Sequence, residues 1–280
     1  MKEMVLVTGW SRPDFLEACL RRLEIADDGE PRFVISLDRG HSRDVSDVAM
    51  AWSRRMGGRA TVLKPRHPYN GNSFNVLSGY RFMMRNRADL LYLVEDDVMV
   101  GRDFFSFHRA AHEVSPKCLS VSACRNQQFP LGADPYPVDD TRVYEHLSYQ
   151  SLGVSFRREV MDRVLPHARP AYFRDPIGYC KMVFPGSAIP APNAEQDGLI
   201  HRVGERDGLP SVYPCSPRAY HAGFVGYHRG GRPLVGSVSA RADQILGMSS
   251  DEMNAHAEVF KDHEVVDLDA DRCDVSRVTG

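Results

Sequence analysis

Several kinds of protein are excluded by what the 280 residues do not contain. The six cysteines, Cys19, Cys118, Cys124, Cys180, Cys215 and Cys273, form no C-x-x-C pair. Their scatter argues against a structural zinc site and against a disulfide scaffold. No G-x-G-x-x-G follows the first predicted strand and no G-x-x-x-x-G-K-[ST] occurs, which weighs against a dinucleotide dehydrogenase and a P-loop enzyme. There is no excess of either charge: the formal net charge is -2, so no global basic field marks a nucleic-acid binder. The apolar run at residues 4–7 is too short for a signal peptide, and no later run is long enough to span a membrane. Reduced thiols and the lack of an anchor lead to the expectation of a cytoplasmic protein. What remains is ordinary for a globular chain, 42% hydrophobic and 26% charged, and long enough for one large domain or two small ones.

The most informative stretch is residues 90–100. An apolar run of strand length stops at Glu95, Asp96 and Asp97, and apolar residues then resume. Such a run suits a strand buried on both faces of a parallel sheet. In open α/β sheets the ligand crevice lies beyond the carboxyl ends of the strands. Three carboxylates there repel one another and lose hydration, and a divalent cation with oxygen ligands relieves both. The competing account is a solvated acidic turn.

The rest of the first hundred residues alternates strand and helix patterns. Strands are predicted at residues 4–8, 32–37 and 60–63, and helices from about residue 11, over 44–56, and through Phe74, Leu77, Tyr80 and Met84. Ser11 is a candidate cap of the first helix, with Pro13 in its first turn. This alternation predicts βαβ units and a mostly parallel sheet flanked by helices. Beyond Asp97 the pattern predicts a helix from Asp103, a strand at 119–123, a loop over 126–141, a strand at 149–156 and a short helix with Val160 and Val164. Residues 166–192 read as irregular, a helix begins near Glu195, and a Pro- and Gly-rich stretch covers 210–236. The expected division is a catalytic domain over residues 1–236, with a nucleotide-binding half at 1–100 and an acceptor half at 101–236. A polar extension follows at 237–280, with a weak helix near 251–261.

With these pieces placed, the chain resembles the GT-A glycosyltransferases, which have a Rossmann-like nucleotide-sugar-binding α/β fold. Within them it looks most like the α-mannoside β-1,2-N-acetylglucosaminyltransferase family. Six segments match in order: Ser11-Arg12-Pro13, residues 35–41 with Asp38, residues 94–98 followed by Asp103-Phe104-Phe105, Val121-Ser122-Ala123 with Asn126, Leu152-Gly153-Val154 with residues 157–160, and Glu195-Gln196-Asp197. The family's Trp-Asp-Asp-Trp segment has lost its aromatic flanks here, and Cys124-Arg125 replaces an aromatic and acidic pair.

The resemblance implies a metal-dependent, inverting transfer from a UDP-sugar, with UDP-N-acetylglucosamine the first donor to test. The cofactor would be Mn2+ or Mg2+. Asp97 would be the direct metal ligand and Asp197 the general base. Arg12 and Asp38 would contact the nucleotide. Asp96 would touch the donor or support the metal through water, and Glu95 would bond the sugar or merely close the strand. His221, in residues 219–228 with His228, is the candidate late imidazole ligand, and residues 227–232 would form a lid. Each has a plainer account: a turn or cap carboxylate for Asp38, an exposed arginine for Arg12, a helix-terminal carboxylate for Asp197, a structural imidazole for His221. The acceptor would be a glycan, protein, lipid-linked sugar, small molecule or modified nucleobase. The rival activities are nucleotidyl transfer, which wants a Gly-rich phosphate loop that residues 8–13 do not supply, and non-catalytic carbohydrate or nucleotide binding.

Overall fold

The computed structural model describes residues 1–64, 71–124, 142–221 and 276–277. The first half runs β1 (Glu3–Gly9), α1 (Pro13–Ala26), β2 (Arg32–Leu37), α2 (Arg43–Arg55), β3 (Ala60–Leu63), α3 (Asn72–Arg85) and β4 (Leu90–Glu95). The second continues β5 (Val98–Val100), α4 (Phe104–Val114), β6 (Ser120–Ser122), β7 (Arg142–His146), β8 (Val154–Arg157), α5 (Arg158–Val164), α6 (Pro170–Arg174), α7 (Pro176–Val183), α8 (Gln196–Asp207), β9 (Ser211–Pro214), β10 (Ala219–His221) and β11 (Ser276–Arg277).

One sheet spans both halves in the order β11-β7-β9-β6-β8-β4-β1-β2-β3, and β5 pairs separately with β10. From β3 to β4 the pairing is parallel, with Leu6 of β1 between Val34 and Leu93. The chain steps outward from β1 through β2 to β3, then returns to place β4 on the other side of β1. The carboxyl ends of β1 and β4 therefore flank a topological switch point, where such sheets form their crevice.

Alternation along each strand divides the core. Leu6, Leu91 and Leu93 pack on one face with Leu77 and Tyr80 of α3 and Leu199 of α8, while Val5, Val7, Tyr92 and Val94 pack on the other with α1, α2 and Phe104 of α4. Helix α3 lies close against β1. A Cβ added at Gly79 would come within 2.5 Å of the Leu6 side chain, so no larger residue fits without a shift.

The predicted strands and helices of residues 1–100 recur with small differences. Ser11 is exposed and does not cap α1; the cap position is Arg12, held outside helical backbone by the following Pro13. Later differences are larger. Residues 149–153 are not strand: Gly153 turns with φ 56° to feed the shorter β8, which is antiparallel to β4 and β6. Residues 142–146 do form a strand. The segment 166–192 contains α6 and α7, each with a proline at its start, so prolines that read as breakers act as helix initiators. The expected loop at 126–141, the lid at 227–232, His228, the 236/237 boundary and the helix near 251–261 lie outside the described residues. The five described cysteines are buried and form no disulfide among the described residues. No helix among the described residues is long and apolar enough to cross a membrane.

Candidate active site

Three elements converge on the end of β4. Arg12, at the start of α1, donates from Nη2 to Asp96 Oδ1 and, at 2.9 Å, to Asp97 Oδ2. Its guanidinium also lies 5.1 Å from the Phe15 ring centroid. The three neighbouring carboxyls respond differently. Burial, with the charges of Asp97 and Asp197, pushes Glu95 up to about 8 despite a bond from Asn72. Burial pushes Asp96 up to about 6 against the pull of Arg12. Asp97 is also penalised by burial, but His221 and Arg12 outweigh that and hold it below the usual carboxylate range.

His221 reaches this place through the small second sheet. The register of β10 against β5 sets His221 opposite Val98, and its Nε2 lies 3.5 Å from Asp97 Oδ2. The approach to β10 is fixed from below. Arg218, 1% exposed, has its Nε 3.4 Å from Asp103 Oδ2 and its guanidinium 5.3 Å from the Phe107 ring. The Gly101 amide donates to the Arg218 carbonyl at 2.8 Å, and the Arg218 amide to Ala123 at 2.7 Å.

Asp38 ends β2, beside the end of β1, and its amide donates to the Gly9 carbonyl at 3.0 Å. Its half-buried carboxylate accepts from the Arg39 amide at 2.7 Å and from that of Gly71. Burial raises its pKa, while those amides and His41 pull the other way. Trp10 is 42% exposed at the same edge, with its indole near Gly40.

Asp197 is exposed in the first turn of α8. Two polar residues that sequence reasoning missed bring this turn to the acidic strand end. Asn72 Nδ2 donates to Glu95 Oε1 at 2.9 Å. The next residue, Ser73, donates from Oγ to Gln196 Oε1 at 2.9 Å and accepts from the Gln196 amide at 3.0 Å. The start of α3 thus joins Glu95 to the neighbour of Asp197. The signal was the position of Asn72-Ser73 after β3, at the same sheet edge as the predicted ligands. Gly198 explains the missing aromatic flank: a Cβ there would lie 1.8 Å from the Asn193 carbonyl oxygen.

A cleft of about 930 Å3 runs beside α8. Asp197 and Glu195 stand at its rim, with Tyr149, His146 and His201 among the other lining residues. Its wall is shaped by Arg202, which is 3% exposed and donates to the carbonyls of Ile189, Pro190, Asn193 and Gly198. Arg12, Asp38 and Asp97 do not line it, whereas Asp197 lines it and lies within electrostatic reach of Glu95 at the strand end.

The side chains fit a divalent ion in part. Asp97 Oδ2 and His221 Nε2 are separated by a distance that two ligands of one ion, each about 2.1 Å from it, can span. Among the described residues no three His, Cys, Asp or Glu side chains gather as ligands, so water and substrate oxygens would complete the shell.

No known protein-family profile matches the sequence, and no curated protein matches it. Solved structures do. A mannosyltransferase from Pyrobaculum calidifontis, in complex with GDP-Man and Mn2+, is matched over 94% of this chain and 70% of its own, with a TM-score of 0.54 at 13% identity. Mouse xyloside xylosyltransferase 1 in its apo form is matched more loosely, over 75% of this chain and 84% of its own, with a TM-score of 0.44 at 12% identity. The first likeness shows the fold, which is GT-A: a mostly parallel central sheet flanked by helices.

Proposed function

We propose that the chain is a divalent-metal-dependent glycosyltransferase that moves a sugar from a nucleotide-sugar donor to an acceptor hydroxyl. The observation that carries this reading is the constellation at the switch point: Asp97, held ionised between Arg12 and His221, faces the end of β4 in a GT-A fold. Asp97 and His221 would hold the ion, and one carboxylate with one imidazole suits Mn2+ better than Mg2+. A bound divalent ion supplies neutralisation of the charge that collects on a departing diphosphate. Arg12 keeps Asp97 charged and adds positive potential beside the phosphates. Asp38 accepts hydrogen bonds from the nucleoside, and the exposed face of Trp10 offers the base an apolar neighbour. Asp96, tied to Arg12, and Glu95, tied to Asn72, orient the ligand end and the sugar. Asp197 takes the proton of the acceptor hydroxyl. Attack from the side opposite the leaving diphosphate would invert the anomeric carbon.

UDP-sugars, with UDP-N-acetylglucosamine first, are the donors the sequence resemblance favours. The Pyrobaculum enzyme was seen with GDP-Man, so guanosine donors belong in the same comparison. Thermal stability is the direct test. The protein is heated with UDP, GDP or their sugars in Mn2+, Mg2+ or chelator. Saturation at a hundred times Kd should add about 2.7 kcal/mol to stability, a shift of several degrees. A shift that needs Mn2+ and discriminates one nucleotide supports the donor site. The same shift in chelator would remove the metal from the proposal, and no shift with any nucleotide sugar would remove glycosyl transfer.

A further inference from the structure

Two opposite charges are buried at the foot of the small second sheet. Arg218 and Asp103 are each 1% exposed, with Arg218 Nε 3.4 Å from Asp103 Oδ2. Both ions lose water there, so apolar residues of similar volume would often serve stability as well or better. The best-attested use of such buried polar groups is to fix a register. The second sheet is short enough to need that. It holds three residue pairs: Ala219 with Val100, Tyr220 with Met99, and His221 with Val98. A slip of one residue would move β10 about 3.3 Å along β5 and turn its side chains to the opposite face. His221 would then leave Asp97, whose Oδ2 its Nε2 now approaches to 3.5 Å.

Backbone bonds resist that slip in one direction only. The Arg218 amide donates to the Ala123 carbonyl at 2.7 Å, and the Arg218 carbonyl accepts from the Gly101 amide at 2.8 Å. If Pro217 moved into this place, the Ala123 carbonyl would lose its donor, because proline has no N–H. If Ala219 moved in, it would offer the same amide and carbonyl, and His221 would stand opposite Met99. The side chain of Arg218 is what distinguishes this second register. Asp103 is anchored at the start of α4, where its carbonyl accepts from the Phe107 amide at 2.8 Å and from Ser106 Oγ at 3.0 Å. The Arg218 guanidinium meets the Asp103 carboxylate and lies 5.3 Å from the Phe107 ring centroid. Alanine in its place would leave a buried carboxylate without this cation, at a large cost.

We infer that the Arg218–Asp103 pair is a register clamp, which holds β10 on β5 so that His221 meets Asp97. Both are then positioning residues of the candidate metal site, acting through His221 and touching neither metal nor substrate. The consequence for metal binding rests on the metal-dependent transfer reading, whereas the clamp itself is a property of the metal-free fold.

The test uses the full chain, the double variant Asp103→Asn with Arg218→Met, which removes both charges, and Arg218→Lys, which keeps the positive one. Urea denaturation reports the fold. The cross-strand nuclear Overhauser contact between Val98 and His221, in metal-free protein, reports the register. Electron paramagnetic resonance gives the Mn2+ affinity with UDP or GDP present. The double variant should unfold cooperatively, lose the contact and bind Mn2+ about tenfold more weakly, as His221→Ala should. Arg218→Lys should keep the contact and recover at least about threefold of that loss. A double variant with contact and affinity intact overturns the clamp. So does one that fails to fold, since the pair would then serve the fold and not its register, and so does Arg218→Lys no better than the double variant. Loss of the contact with Mn2+ affinity unchanged overturns the positioning role. If the wild-type chain binds no Mn2+ with any nucleotide, the metal-dependent reading fails, while loss of the contact in the metal-free double variant still supports the clamp.

Discussion

In the acidic run after β4, one carboxyl is pushed up to about 8, the next to about 6, and the third is held below its usual range. The difference is in the partners, because all three lose water. Only Asp97 has both a guanidinium and an imidazole beside it, so only Asp97 is set to be an anion at every working pH. Asp97→Asn is therefore expected to abolish the Mn2+-dependent part of nucleotide binding, by tenfold or more, in a calorimetric titration. Unchanged Mn2+ dependence would move the metal elsewhere. Asp197 is expected to act on the acceptor alone. Asp197→Asn should lower kcat by about 10²–10⁴ while donor KM stays within about twofold; a proportionate rise in donor KM would mark a donor contact instead. The acidic run and its place at a strand end were legible because an apolar run and three adjacent carboxylates are local features. The Arg12 bond to Asp96 and Asp97 was not, since it joins residues about 85 apart in sequence that only the β1–β4 pairing brings together.

The elements show which local signals survive folding. The strands at Arg32–Leu37 and Ala60–Leu63 match the sequence reading residue for residue, since both are short apolar runs bounded by polar or turn-forming residues. Residues 142–146 escaped it. Arg-Val-Tyr-Glu-His carries little apolar pattern, and its pairing with β9, far along the chain, is what makes it a strand. Helix α8 was legible, but the fixing of its first turn was not. Ser73 ties Gln196 from α3, Arg202 gathers the carbonyls of residues 189–198, and Gly198 lets that wall close. Gly198→Ala is expected to force the Asn193 carbonyl away and tilt the first turn of α8. The cost should be about 1–3 kcal/mol of stability in urea denaturation. Transfer should fall well beyond what that loss of folded protein explains, with Mn2+-nucleotide binding retained. If activity simply follows the folded fraction, the turn does not position Asp197.

At the scale of the whole molecule, a net charge of -2 conceals buried groups with opposed effects on stability. His108 and His112, buried against Ser155, have pKa values lowered by burial, His112 to about 3. Below their ordinary range of about 6.5 the unfolded chain binds more protons than the folded one, so stability rises with pH toward that value. Glu95 acts in the other direction. Its folded pKa of about 8 lies above its ordinary 4.5, so the folded state holds the extra proton and stability falls as pH rises through that interval. Asp96 adds to the fall below about 6, where the histidines oppose it. From about pH 6.5 upward the histidine contribution fades and is nearly complete by about pH 7.5, so the fall from Glu95 outweighs it. In chelator, stability is expected to peak near pH 6.5 and then to drop by about 1 kcal/mol by pH 8. Glu95→Gln, which keeps the Asn72 partner but carries no proton to lose, should abolish that drop. Mn2+ with nucleotide should offset it in the wild-type chain, because positive charge beside Asp97 favours the ionised form of Glu95. Urea denaturation midpoints at pH 6.5 and 8, for both proteins with and without ligand, decide the matter. A drop that persists in Glu95→Gln would place the titrating group outside the acidic run, and would uncouple the stability of the fold from the charge state of its candidate site.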